Sequence, residues 1–255
     1  MSISVKGLSF AYGSSPVLEN FEISSLKRGS ITALIGPNAA GKSTALKCIA
    51  GLLPSEHGAV QLNNRLKSEF TTSEWSKLVC YMPQTFVCNA ALTVFEVVLL
   101  ARKHLYGWRV QDCDIEVVST ILQTIGIADL AQQPASELSG GQQQLVSVAQ
   151  TLVREPDVLL LDEPTSALDL RHQLEVMDLL VRTTRARGVV TIAAMHDLNL
   201  AARFADNLVL MRKGRVLAKG PPEMILRSTE ISDTYGVQIE VQQARDGKSV
   251  VSAKL

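Results

Sequence analysis

Gly36-Pro37-Asn38-Ala39-Ala40-Gly41-Lys42-Ser43-Thr44 is the stretch that decides how this chain is read. It matches G-x-x-x-x-G-K-[ST] at every fixed position, and it stands where that motif belongs, between a strand and a helix. The strand is the apolar run Ile31 to Ile35, closed by Gly36. The helix is predicted from about Gly41 to Ala50, with Gly51 near its C-terminus. Backbone N–H groups of such a loop converge on phosphate oxygens, and the helix N-terminus adds positive potential. Lys42 brings a point charge to the β- and γ-phosphates of a nucleotide, and the Ser43 hydroxyl is a ligand for Mg²⁺. A simple glycine turn at a helix start would need neither the lysine nor the serine.

Outward from this loop, the periodicities alternate between strand and helix. Ile3, Val5, Leu8 and Phe10 read as one strand and Val17 to Ile23 as another, with turn residues at Gly13 to Pro16; two antiparallel strands are the simplest account. Val158 to Leu161 and Val189 to Ala194 are short apolar runs, the pattern of strands buried on both faces. Leu170 to Arg187 has helical spacing, with Leu174, Met177, Leu180 and Val181 apolar. Asn207 to Lys219 reads as a hairpin turning at Lys213-Gly214, and Val237 to Val251 as a second around Asp246-Gly247. Between the phosphate loop and the strand at Val158, residues 85–155 have a helical texture. There Ile115, Val118, Ile121, Leu122 and Ile125 share one face, and Asp112 stands where an N-cap is expected. The prediction is an α/β fold with a mainly parallel sheet, N-terminal antiparallel strands and an inserted helical lobe, all in one domain over residues 1–255.

Composition fits that prediction. The chain has 255 residues, 46% hydrophobic and 20% charged, enough to bury a full core. Lys+Arg and Asp+Glu both number 25, so a general nucleic-acid binder, with its basic excess, is not expected. Cys48, Cys80, Cys88 and Cys113 form no C-x-x-C pair and read as free thiols. No signal peptide and no apolar run of transmembrane length is visible, so the chain is expected to be soluble.

Two further clusters carry chemistry. Asp162-Glu163 closes the apolar strand at Val158 to Leu161, and adjacent residues of an extended chain point to opposite sides. Asp162 is thereby suited to hold water on Mg²⁺, and Glu163 to polarise an attacking water as general base. Leu138-Ser139-Gly140-Gly141-Gln142 precedes a helix and offers a second nest of free N–H groups. One nucleotide needs one phosphate cradle, so the second points to a composite site, with a dimer as one way to build it. The rest of the run, Gln143 and Gln144, is predicted to lie on a solvated helix face.

These three motifs, in this order, resemble the nucleotide-binding subunit of an ABC transporter, and Leu138 to Gln142 matches that family's signature letter for letter. The resemblance covers about Ser2 to Val237 and implies a P-loop NTPase core that binds ATP and Mg²⁺. It also implies further roles. Tyr12 resembles the aromatic residue that stacks on adenine, and Gln84 the glutamine that reaches Mg²⁺ and the attacking water. Ser166-Ala167-Leu168-Asp169 is similar to the D-loop, and His196 to the switch histidine at the γ-phosphate. The site it implies comprises Glu163, His196, Gln84 and Lys42 for catalysis, with Tyr12, residues 36–44, Ser139, Gly140, Gly141, Gln142 and Asp169 on the nucleotide. Ser43, Gln84 and Asp162 would serve the metal. Ala39 and Leu145 depart from the pattern, since relatives commonly carry glycine and arginine there.

The implied partners are two integral-membrane permease subunits, a second copy of the chain in an ATP sandwich and, indirectly, a substrate-binding protein. The implied location is peripheral, on the cytoplasmic face of the inner membrane. Arg171 to Val176 and His196 to Arg203 resemble subunits serving metal-chelate importers, of ferric siderophore, haem or cobalamin type. An exporter ATPase, an oxyanion importer of molybdate type and a non-transport ABC ATPase are the alternatives. Thr85 to Arg102, including Phe86, is the expected surface for the permease.

Overall fold

The computed structural model describes residues 2–85, 91–107, 109–243 and 249–254. In chain order the elements are β1 Ser2–Tyr12, β2 Ser15–Lys27, β3 Ile31–Ile35, α1 Lys42–Ala50, β4 His57–Leu62, β5 Arg65–Leu66, α2 Thr72–Leu78, β6 Val79–Met82, α3 Val94–Tyr106, α4 Asp112–Ile125 and α5 Gly140–Leu152. They continue with β7 Val158–Asp162, α6 Leu170–Arg187, β8 Val190–Ala194, α7 Leu198–Phe204, β9 Asn207–Arg212, β10 Arg215–Gly220, α8 Pro222–Leu226, α9 Thr229–Tyr235, β11 Gln238–Gln243 and β12 Ser249–Lys254.

The central sheet has the order β10-β9-β3-β8-β7-β6. Every pairing from β9 to β6 is parallel, and only the edge strand β10 runs antiparallel. Strands β3, β7 and β8 are buried along their whole length, as their unbroken apolar runs require. Their side chains alternate between two cores. Ile31, Ala33 and Ile35 face one core with Leu159, Leu161 and Ala193, beneath helices α3 to α6. Leu34 faces the other with Leu160, Val190 and Ile192, beneath α1 and the N-terminal strands.

The N-terminal region differs from the two-strand expectation. It is a four-stranded antiparallel sheet, β2-β1-β4-β5, in which β4 lies along the other edge of β1 and pairs Val60 with Val5 and Leu62 with Ile3. Only Val60 and Leu62 of β4 are buried, so its sequence gives a weak strand signal. Strand β6 is a second omission; four residues long, it directly follows α2 and forms the far edge of the central sheet. The turn expected at Asp246-Gly247 lies outside the described residues.

The helical region is held by capping and by one buried ionic cluster. Glu96, a lone charge in an apolar stretch, completes a capping box with Thr93: it accepts from the Thr93 N–H at 2.8 Å while Thr93 Oγ1 accepts from the Glu96 N–H at 3.3 Å. Val94, Val97 and Val98 are thereby turned into the core. At α4 the expected cap is corrected. Asp112 is the first helical residue, and Asp114 instead accepts from the Gln111 N–H at 3.0 Å. Ile115 leaves the predicted apolar face and is exposed, whereas Val118 and Leu122 are buried. Among the described residues no helix is long and apolar enough to cross a membrane.

Asp114 is 4% exposed and also accepts from Lys103 Nζ and Arg102 Nε, both at 2.8 Å. Those hydrogen bonds, Lys103 first, hold its pKa well below the usual carboxylate range. A carboxylate whose pKa is depressed on folding stabilises the fold above its unfolded value, and the contribution is lost as pH falls through the folded one. Asp114→Ala should therefore cost about 3 kcal/mol near neutral pH, because it strands the buried Lys103 charge. Urea unfolding checks this, and the gap from wild type should begin to narrow below about pH 4, the unfolded aspartate pKa, and keep narrowing toward the much lower folded one.

Candidate phosphate-binding and catalytic site

The loop 36–44 connects the C-terminal end of β3 to α1, and its fixed residues take up the expected places. Lys42 is 6% exposed, and its Nζ donates to Gly36 O at 2.7 Å and Pro37 O at 3.1 Å. Burial pulls the Lys42 pKa down; the charges of Glu163 and Asp162 push it back up. Ser43 Oγ donates to Asp162 Oδ1 at 2.8 Å, which ties the start of α1 to the end of β7. Asp162 is 2% exposed, and its other oxygen accepts from the Tyr81 hydroxyl at 3.0 Å. Burial, reinforced by the Asp162 charge, lifts the Tyr81 pKa above its ordinary value.

Glu163 is held from four sides. Gln84 Nε2 donates to its Oε2 at 2.8 Å, and His196 Nε2 makes a hydrogen bond with its Oε1. Its backbone is left-handed, φ 52°, an uncommon state for a non-glycine residue. Two contacts fix that backbone: the Glu163 N–H donates to Ala194 O at 3.1 Å, and Gln144 Nε2 donates to Glu163 O at 3.0 Å. Gln144 is therefore corrected from a solvated residue to a buried one, 3% exposed. Helix residues advance by about 100°, so a run of three glutamines cannot keep all three on one face. Leu145, read as a departure, is buried in the core under the helical region.

Val17, Asn38 to Thr44, Gln84, Glu163 and His196 line one cleft of about 440 Å³. The cleft thus joins the phosphate loop to three of the four residues expected in catalysis. Mg²⁺ takes hard oxygen ligands and keeps several waters, completing its shell with substrate phosphates. The adjacent Ser43 hydroxyl and Asp162 carboxylate fit that donor set.

Other expected residues stand outside the cleft. Tyr12 is 50% exposed and packs edge-on against Phe10, with ring centroids 4.7 Å apart. Ser139 caps α5, where it forms a capping box with Gln142. Gly141 lies beside the Ser166–Asp169 stretch; a Cβ on it would stand 3.3 Å from Ala167 O. Asp169 caps α6 by accepting from the His172 N–H at 2.9 Å. Tyr81 and Gln144 belong to the site and were not singled out in the sequence, which has no motif at either position.

A family model described as ABC transporter matches residues 20–166. An ABC transporter ATP-binding protein of Methanocaldococcus jannaschii is 40% identical over 245 residues, 96% of this chain and 95% of that protein. The iron(3+)-hydroxamate import ATP-binding protein of Bacillus subtilis is 37% identical over 242 residues, 94% of this chain and 90% of that protein. Among solved structures, a transporter described as of metal-chelate ABC type, inward-facing, is 26% identical with a TM-score of 0.84, covering 100% of this chain and 97% of that one. A dimeric ATP-binding cassette bound to ADP and Pi in a post-hydrolysis state is also 26% identical; its TM-score is 0.78, over 86% of this chain and 98% of that one.

Ala39 has φ 61°, so alanine holds a conformation that glycine adopts without strain. Ala39→Gly should stabilise the protein by about 0.5–1 kcal/mol, the relief of strain exceeding the added unfolded-state entropy. A melting midpoint higher by about 1–3 °C is the expected readout.

Proposed function

This chain belongs to the ABC transporter family and is an ATP-hydrolysing cassette, and from that premise we propose that it powers metal-chelate import through separate permease subunits. The observation that carries the ATPase reading is Glu163, held between Gln84 and His196 in the cleft that contains Lys42. The import reading draws on the relative named for iron(3+)-hydroxamate import and on the structural neighbour of metal-chelate type. These favour import over export. The whole of residues 1–255 is read as one nucleotide-binding domain, with residues 85–155 its helical lobe and residues 237–252 its C-terminal hairpin.

The chemistry follows from the contacts. The Lys42 ammonium donates to the Gly36 and Pro37 carbonyls. An ATP phosphate is a stronger, charged acceptor, so the ammonium turns toward it and neutralises charge where desolvation strengthens the interaction. Both carboxylate oxygens of Glu163 are engaged, one by Gln84 and one by His196. Each carboxylate oxygen keeps a further lone pair, so Glu163 can accept from the attacking water and take its proton. Gln84 and His196 stand beside it, within reach of the water and the γ-phosphate, while Gln144 keeps the Glu163 backbone in place. Mg²⁺, which Ser43, Asp162 and Gln84 would hold, supplies a further positive charge on the phosphates when bound.

Ser139, Gly140, Gly141 and Gln142 stand apart from the cleft of their own chain, which supports a site completed by a second copy. In that arrangement Lys42 and Ser43 of one copy face Ser139 and Gly141 of the other. Tyr12 and Asp169 border the nucleotide there. The permease is assigned to the segment Thr85 to Arg102. Val94, Val97 and Val98 are buried and Leu92, Phe95 and Leu99 pack on the core, so among the described residues the docking surface draws on exposed Thr85 and Leu100. Phe86 lies outside the described residues. The proposal places the cassette peripherally on the cytoplasmic face of the cell membrane, with a substrate-binding protein outside and no nucleic acid among its partners.

Lys42→Ala should reduce ATP turnover by at least about a hundredfold, because the phosphates lose their buried cation. Turnover near wild type would overturn the assignment. Glu163→Gln should bind ATP, lose turnover and accumulate as a dimer, since an amide is no base at neutral pH. Gel filtration with saturating ATP tests this, and a monomer would count against the two-chain site.

A further inference from the structure

We propose that Tyr235 is a positioning residue for ATP: from the end of α9 its hydroxyl fixes the first residue of the phosphate loop and so sets nucleotide affinity. The inference rests on the reading of residues 36–44 as the ATP site.

Gly36 is where the chain leaves the sheet, since Ile35 still pairs with Leu210 of β9. Its φ is 146°, and a Cβ there would stand 2.2 Å from Met211 O. Only glycine fits, and glycine offers no side chain by which the turn can be anchored. The anchor comes from elsewhere: the Gly36 N–H donates to Tyr235 Oη at 2.8 Å. The carbonyl of the same residue accepts from Lys42 Nζ at 2.7 Å. One buried glycine is therefore held on its N–H side by the tyrosine and on its C=O side by the lysine. When the ammonium turns toward a phosphate, the tyrosine contact remains and keeps the mouth of the loop where the phosphate meets it. Such preorganisation acts on affinity rather than on the chemical step. Burial pushes the Tyr235 pKa up to about 12, so the hydroxyl stays neutral.

The segment carrying Tyr235 is anchored at the opposite side of the site as well. Asn199 lies in α7, three residues beyond His196. Its Oδ1 accepts from the Val251 N–H at 2.7 Å, and its Nδ2 donates to Val251 O at 3.1 Å. Ser232 Oγ of α9 accepts from the Ile239 N–H at 3.3 Å and joins the helix to the same hairpin. Helix α9 with β11 and β12 thus forms a strap from the phosphate loop to the helix that follows His196.

Tyr235→Phe keeps the ring that packs on the core and deletes only the acceptor. In a steady-state ATPase assay it should raise the KM for ATP by about three- to tenfold, the worth of one buried hydrogen bond, and leave kcat within about twofold. Asn199→Ala leaves the tyrosine in place and loosens the strap, so it should move KM in the same direction by a smaller factor. A packing role alone would lower the melting midpoint without moving KM. Wild type and Lys42→Ala run alongside. If wild type turns over ATP, Lys42→Ala does not, and KM is unchanged in both strap variants, the role of Tyr235 is overturned while the ATP site stands. If wild type itself does not turn over ATP, the reading of the site falls and this inference with it.

Discussion

An ammonium group at Lys42 that is only 6% exposed has to be surrounded by oxygen, and much of the surrounding geometry answers that requirement. The loop curls until the Gly36 and Pro37 carbonyls both face Nζ, and the two carboxylates at the end of β7 supply a compensating field. Asp162 is itself buried and needs donors, which it finds in Ser43 and Tyr81. Removing any one of these groups would leave another charge or dipole buried without a partner. These contacts tie the phosphate loop, α1, β6 and β7 to one another.

The parallel sheet explains why these groups meet at all. Gly36 follows β3, Gln84 follows β6, Asp162 ends β7 and His196 follows β8, so each of these candidate site residues sits at the carboxyl end of a neighbouring strand. No long-range coincidence is required, only strands in register. What the sheet cannot supply is the direction of Glu163, one residue past its strand. That is set by a left-handed turn, with Gln144 from α5 and the Ala194 carbonyl holding the backbone. The helix capped by Ser139 is in this way wired to the proposed general base of its own chain.

Sequence reading recovered what has a strong local signature. Ile31–Ile35 and Leu170–Arg187 coincide with β3 and α6, because a doubly buried strand is apolar throughout and a long amphipathic helix repeats its period several times. The candidate site was legible for a related reason: its residues fall in two short stretches, Gly36 to Ser43 and Asp162-Glu163, each of which carries its own local pattern. The losses are elements whose signal is shared with distant partners. Strand β4 shows only two inward residues, and β6 is too short to alternate visibly. Gln144 and Tyr235 act through single hydrogen bonds to a backbone remote in sequence, and no local pattern encodes a partner so far away.

The strand order also constrains the time course of synthesis. Strand β3 is the middle of the sheet, yet its neighbours are β8 and β9, so Ile31 waits for Thr191 and Ile35 for Leu210. A nascent chain emerges N-terminus first, and contacts of such separation form slowly. The hairpin β1–β2 and the helical region can consolidate early, but the apolar run Ile31–Ile35 has no strand to pair with until β8 and β9 have left the ribosome. During that interval the run is exposed to sticking to neighbouring molecules, and a truncated product ending before β8 would carry this buried apolar strand with both edges bare.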